Sequence, residues 1–226
     1  MAAINQYGDQ LLPTTGKHGA DIARQRIDDL DLLALQFALE QANGGRVALD
    51  LGGGAGAQAL RFASLGLETL LIDRLPREQT LLRAEGLGDI LPLRYRQADL
   101  AEATAGDFPP DITLCFSQRF IHYLDYAQAQ RLLGHVRQRM HRQGKLFLSA
   151  SGLRSELGEG YDGGASMAQR FAPLSAAMAA RHGIHEPVCL YTGDELAALC
   201  SQCGFAAERV FSSAFGNVKG VFVPVG

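Results

Sequence analysis

The sequence of 226 residues predicts an α/β fold: three layers built around a doubly wound, mostly parallel seven-stranded sheet with a C-terminal antiparallel hairpin. Three observations predict it. Five short apolar runs alternate with helical segments, the first run stops at a glycine cluster, and two final strand-like runs flank Gly216-Asn217, a hairpin turn signal. Apolar residues make up 47% of the chain. A chain of this size and composition hides roughly 70% of its unfolded surface, which excludes disorder as its main state.

The first 20 residues show no period and read as an irregular arm. From Asp21 the residues Ile22, Ile27, Leu30, Leu33, Phe37 and Ala38 recur at helical spacing up to the breaker Asn43-Gly44-Gly45. Asp28, Asp29 and Asp31 are expected on the solvated side of this helix. A buried strand follows from Arg46 to Leu51, then a helical stretch from Ala55 to Leu65 and a second strand from Glu68 to Asp73. Pro76 opens a helix that runs to Ala84, because proline is tolerated in a first turn.

Strand-like runs from Leu93 to Gln97 and from Ile112 to Ser117 come next, then a helix from Asp125 to Arg142 and a strand from Lys145 to Ala150. That helix carries Arg131, His135, Arg137, Arg139, His141 and Arg142 on an outer, solvated face, over a buried face of Leu132, Leu133, Val136 and Met140. A last helix near Gly193 to Cys203 precedes the strands Ala207 to Phe215 and Val218 to Val223. Between the fifth strand and that helix, residues 151–190 are too long for a simple connection and read as an insert or lid. The chain therefore divides into an arm and helix (1–45), a cofactor-binding half (46–150), the insert (151–190) and a closing helix and hairpin (191–226), all within a single domain.

Charge and cysteine content narrow the function. Lys and Arg number 21 against 24 Asp and Glu, a formal charge of −3, without the basic footprint of a nucleic-acid binder. Four cysteines are too few for a disulfide framework, and Cys200 and Cys203 read as small buried residues of a helix. No signal peptide or spanning segment is visible, so a cytoplasmic protein without membrane partners is expected. No metal site stands out among the scattered histidines.

The sharpest local feature is Asp50-Leu51-Gly52-Gly53-Gly54-Ala55-Gly56, between a strand and a helix. Glycines there let the backbone approach a ligand, and the helix start offers free N–H groups to polar or anionic atoms. Asp73 ends the next strand 23 residues after Asp50, where a nucleotide-binding sheet places an acceptor for ribose hydroxyls; Arg74 follows it. Asp99 ends the third strand on the same edge, so three acids beside one glycine turn outline an adenosine pocket.

With VALDLGGGAG, LLIDR, QADL, DITLCFS and GKLFLSASG in this order, the chain resembles the class I, Rossmann-like S-adenosylmethionine-dependent methyltransferases from Arg46 onward. The resemblance implies S-adenosylmethionine as cosubstrate. Gly52, Gly53, Gly54 and Gly56, with Asp50, would lie at its methionine part, Asp73 and Arg74 at the ribose, Asp99 and Leu100 at the adenine, and Ser117 and Gln118 toward the methyl end. An NAD(P)-dependent oxidoreductase is the rival, since Gly52, Gly54 and Ala57 also fit its fingerprint; no Tyr has a Lys four residues on, as a short-chain reductase requires.

Methyl transfer from a sulfonium releases a neutral thioether, so alignment and water exclusion matter more than acid catalysis, and a base is needed only for a protonated nucleophile. His122 is the candidate base and Arg119 a candidate partner for an anionic group, both in the loop after the fourth strand. Tyr7, Lys17, His18 and Arg24 near the arm, and Tyr161, Arg170, His182 and His185 in the insert, are further candidates. The expected function is transfer of a methyl group to an O, N or other nucleophile of a small molecule, by a monomer or homodimer. A protein or RNA methyltransferase and a non-catalytic cofactor-binding regulator are the alternatives.

Overall fold

The computed structural model describes residues 27–41, 46–75 and 90–226. The N-terminal arm, with Tyr7, Lys17, His18 and Arg24, and the expected helix from Pro76 to Ala84 lie outside them. In chain order the elements are α1 (Asp29–Gln41), β1 (Val47–Leu51), α2 (Ala57–Ser64), β2 (Glu68–Asp73), β3 (Leu93–Gln97), β4 (Ile112–Gln118), α3 (Tyr126–Arg139) and β5 (Met140–Ala150). After them come α4 (Ala176–His182), α5 (Gly193–Gln202), β6 (Phe205–Ser212) and β7 (Val218–Pro224).

The seven strands form one sheet in the order β3-β2-β1-β4-β5-β7-β6. Strands β1 to β5 pair in parallel, and β7 lies antiparallel between β5 and β6. Strand alternation sorts the core onto two faces. Leu49, Leu51, Cys115, Leu146 and Leu148 pack against α3 and α5, while Ala48, Leu114, Phe116 and Phe147 pack against α1 and α2. Phe62 of α2 meets Phe116 edge-on with ring centroids 5.8 Å apart. This is the three-layer arrangement expected from the sequence.

Two helices differ from expectation. Asp28 accepts the N–H of Leu30 at 2.9 Å, capping α1 so that it begins at Asp29; residues 21–26 of the expected helix lie outside the described residues. Helix α3 starts as expected at a reciprocal cap, in which Asp125 Oδ1 accepts the Gln128 N–H at 2.8 Å and Gln128 Oε1 accepts the Asp125 N–H at 2.9 Å. It ends at Arg139, three residues early, because Met140 already pairs with Ile112 at the start of β5. Its arginines are also less free than expected: Arg137 Nε donates to the Gly204 carbonyl at 2.9 Å and Arg139 Nε to that of Ala105 at 2.7 Å.

The insert has a core of its own, with Leu157, Leu174, Met178, Ile184, Val188 and Leu190 packed together. It is stitched to the sheet edge by Leu153 N–H to Tyr191 O at 2.9 Å and Cys189 N–H to His122 O at 2.8 Å. Among the described residues no helix is long and apolar enough to cross a membrane, and no group of three metal-ligating side chains occurs. All four cysteines are free; Cys200 is buried and Cys203 half-buried in the α5 region, as expected.

Candidate functional site

Strand order reverses between β1 and β4, and there the carboxyl ends of the strands diverge into a crevice. A cavity of about 580 Å³ opens at this point, bounded by the glycine turn, the ends of β2 to β4, and the insert.

The glycine turn is shaped for close approach. Gly52, Gly54 and Gly56 all have positive φ, at 64°, 55° and 75°. A Cβ on Gly52 would fall 2.3 Å from Cγ of Phe120, and one on Gly53 would fall 2.4 Å from Asp50 Oδ2. Gly52 N–H donates to Ile72 O at 2.8 Å, locking the turn to β2. Gly56 precedes α2, whose first N–H groups receive no side-chain cap. Gly52, Gly53 and Gly54 line the cavity; Gly56 does not, and serves to turn the chain into the helix.

Asp73 is nine-tenths buried and borders the cavity. Its Oδ2 accepts the Gly54 N–H and its Oδ1 the Leu75 N–H, each at 2.9 Å. Asp99 is exposed, also borders the cavity, and accepts the Ala101 N–H at 2.9 Å through Oδ1. Leu100 beside it supplies a buried apolar wall. Arg74 reaches across the opening to Glu186 of the insert at 2.8 Å.

Asp50 is buried against the turn, and neither carboxylate oxygen has a well-directed hydrogen bond. Burial, with the neighbouring carboxylates of Asp31 and Asp73, pushes its carboxyl up to about 8. Asp31 corrects the expectation of a solvated acid: it is 2% exposed, lines the cavity, and is raised to about 6, chiefly by burial. Asp29 is exposed, as expected, and Asp28 half-buried, but both are paired: Lys219 Nζ contacts Asp28 Oδ2 at 2.7 Å and also Asp29 Oδ1. Burial would raise Asp28, but the Lys219 ammonium and the backbone N–H groups of Asp31 and Leu30 outweigh it and hold its carboxyl below the ordinary range. Gln118 Nε2 joins this group, donating to Asp28 at 2.8 Å and to Asp31 at 3.2 Å while lining the cavity.

The remaining expected residues divide. Ser117 does not face the cavity; it is buried, with Oγ donating to Leu51 O at 3.1 Å. Arg119 lines the cavity at a positive φ of 52°, held by its N–H to Ser149 O at 3.1 Å. His122 borders the cavity from below, but it is 2% exposed and both ring nitrogens lie 3.4 Å from Ser151 atoms. Burial, aided by the Arg119 charge, lowers its pKa to about 3, so it holds a proton poorly. The structure thus makes His122 a packing residue of the cavity floor and removes the reason for choosing it as the base.

In the insert, Tyr161 donates to Val188 O at 2.6 Å, and Arg170 pairs with Glu195 at 2.7 Å; neither lines the cavity. His185 is exposed and lies outside the lining, whereas His182 is part of it, together with Glu156 and Arg181. Lining residues that sequence reading did not assign to the site include Phe120, which covers Gly52, Phe215 of the hairpin turn, Glu156 and Arg181 of the insert, and Asp31. Only Asp31 left a signal, since it continues the buried spacing of Ala34 and Ala38.

No protein-family model matches the sequence, and no curated protein matches it. Solved structures do match the fold. The CcbJ methyltransferase from Streptomyces caelestis superposes with a TM-score of 0.64 at 14% identity, over 93% of this chain and 98% of that one. A Burkholderia thailandensis 1,6-didemethyltoxoflavin-N1-methyltransferase, solved with 1,6-didemethyltoxoflavin and S-adenosylhomocysteine, gives 0.63 at 14% identity over 96% and 93%. The mitomycin 7-O-methyltransferase MmcR gives 0.56 at 20% identity over 86% of this chain, which spans only 54% of MmcR. The chain therefore shares the fold of these methyltransferases.

Proposed function

We propose that the chain is an S-adenosylmethionine-dependent methyltransferase acting on a small molecule. One observation carries the proposal: the glycine turn, Asp73 and the Asp99-Leu100 pair end or follow three successive strands around a cavity of about 580 Å³. The fold shared with solved methyltransferases supports it.

The residues present fit this cosubstrate. Gly52, Gly53 and Gly54 present bare backbone to the cavity, and Asp50 beside them has a buried carboxyl without directed donors, whose ionised form a bound cationic group would favour. When bound, S-adenosylmethionine supplies an electrophilic methyl group on sulfur. Asp73 has one acceptor position left on each oxygen after its two backbone bonds, enough to receive ribose hydroxyls. Leu100 offers an apolar face and Asp99 an exposed acceptor for the adenine. The insert walls the other side of the cavity.

Calorimetry with S-adenosylhomocysteine tests the cosubstrate, and release of that thioether from S-adenosylmethionine over a metabolite panel tests the activity. Binding of NADH with no binding of S-adenosylhomocysteine would transfer the chain to the oxidoreductases, and binding without turnover on any acceptor would make it a regulator.

A further inference from the structure

The half of the cavity away from the glycine turn has a different character. Leu157, Phe171, Ile184 and Phe215 give it apolar walls, two of them aromatic. Set into those walls is one polar cluster. Glu156, on a short turn of the insert, lies with Oε1 3.1 Å from Arg181 Nη2 and Oε2 3.4 Å from His182 Nε2. All three side chains line the cavity. Glu156 Oε1 and His182 Nε2 are buried atoms, yet neither makes a well-directed hydrogen bond, so the cluster retains unused polar capacity.

We propose that this half is the acceptor subsite and takes an aromatic hydroxyl compound, with His182 receiving the hydroxyl proton and Glu156 positioning the imidazole. The inference rests on the methyltransferase reading. A planar ring matches the apolar walls, and its hydroxyl meets the cluster of Glu156, Arg181 and His182. With Nε2 turned to Glu156, Nδ1 is left to accept. The balance is complete: the acceptor oxygen forms a bond to the methyl carbon, the methyl–sulfur bond breaks with its electron pair going to sulfur, and the hydroxyl proton passes to His182 and then to water. Arg181, on the same cluster, favours ionisation of the hydroxyl before attack.

The charges bearing on His182 are Glu156 from the facing turn and Arg181 from its own helix. Burial lowers the imidazole below its ordinary value, with Arg181 adding to this and Glu156 opposing it. His182 is therefore neutral and ready to accept at neutral pH. His122, on the cavity floor, holds a proton far less readily.

The test uses para-nitrophenol, whose ionised form is yellow, and unsubstituted phenol. With S-adenosylmethionine, Glu156→Gln should shift the acidic limb of the phenol pH profile to lower pH, because the carboxylate holds the imidazole's pKa up. In turnover with S-adenosylmethionine, His182→Gln should slow methylation of phenol by about 100-fold, the lower range for a general base. It should slow that of the pre-ionised para-nitrophenol less than about threefold and remove the acidic limb of the wild-type pH profile. Melting curves identify a variant that fails to fold, and His182→Asn then replaces it.

Equal losses on both phenols, no loss on either, or no methyl transfer to any phenol by a protein that binds S-adenosylhomocysteine would each overturn the proposal. Failure to bind S-adenosylhomocysteine would instead overturn the methyltransferase reading on which it rests.

Discussion

The carboxylate of Asp73 accepts the backbone N–H of Gly54 at 2.9 Å, joining the tip of the second strand to the middle of the glycine turn. The side chain expected to hold the ribose is thus also a brace of the loop beside it. Two functions on one carboxylate predict two separable losses.

Asp73→Ala should weaken S-adenosylmethionine binding at least about tenfold, the equivalent of about 1.5 kcal/mol for hydrogen bonds to a charged group. It should also lower unfolding free energy by about 1 kcal/mol, because the Gly54 N–H loses its acceptor. Calorimetry reads the first and urea unfolding the second. Unchanged affinity would remove Asp73 from the ribose site.

Asp50 makes a prediction about pH. Its carboxyl is raised to about 8 in the folded chain, so between the ordinary carboxylate value and about 8 the folded state binds the extra proton. Stability from this group is then lost as pH rises through that window. Asp50→Asn removes the titration. The melting temperature of the variant minus that of wild type should therefore climb from pH 5 to about pH 8 and level off above it. A constant difference would mean that Asp50 ionises normally.

Lys219 and its acids should behave asymmetrically. The ammonium-bearing side chain is 3% exposed, whereas Asp28 and Asp29 are 36% and 53% exposed. Lys219→Met leaves two acids that water can solvate and should cost about 1 kcal/mol. The double change Asp28→Asn, Asp29→Asn strands a buried cation and should cost about 3 kcal/mol, with the N-terminal cap preserved. Denaturant unfolding of the two proteins decides, and equal costs would contradict the asymmetry.

Gly52 and Phe120 should be coupled. Gly52→Ala places a methyl group 2.3 Å from the Phe120 ring and forces alanine to a φ of 64°. The left-handed conformation alone costs about 1–2 kcal/mol, and overpacking adds about 1–3 kcal/mol. Phe120→Ala should recover the overpacking part in the double variant and leave the conformational part. A double-mutant cycle on unfolding free energies measures this, and strict additivity would show that the ring does not sit on the turn.

Much of the scaffold was legible because its signals are local. The strands Glu68–Asp73 and Leu93–Gln97 fall where apolar runs and breakers place them, and the glycine turn announces itself by spacing. What escaped depends on partners far along the chain. Asp28, Asp29 and Asp31 read as a solvated acidic edge, and only the arrival of Gln118 and Lys219 explains why Asp31 is buried and the other two are paired. His122 looked like a base because of its intrinsic pKa, a property that burial against Ser151 cancels. The end of α3 failed for a similar reason: pairing of Met140 with Ile112 overrides a helical pattern that continues to Arg142.

The Lys219 contacts also govern the order in which the site can be completed. Strand β7 is the last to be synthesised, yet it inserts between β5 and β6 and neutralises the start of α1, the first helix described. On a ribosome, the acids at residues 28 and 29 wait for their counter-charge until residue 219 has left the exit tunnel. The tie from Lys219 to the helix that carries Asp31 into the crevice is therefore a late one, added only when the β6–β7 hairpin joins the sheet.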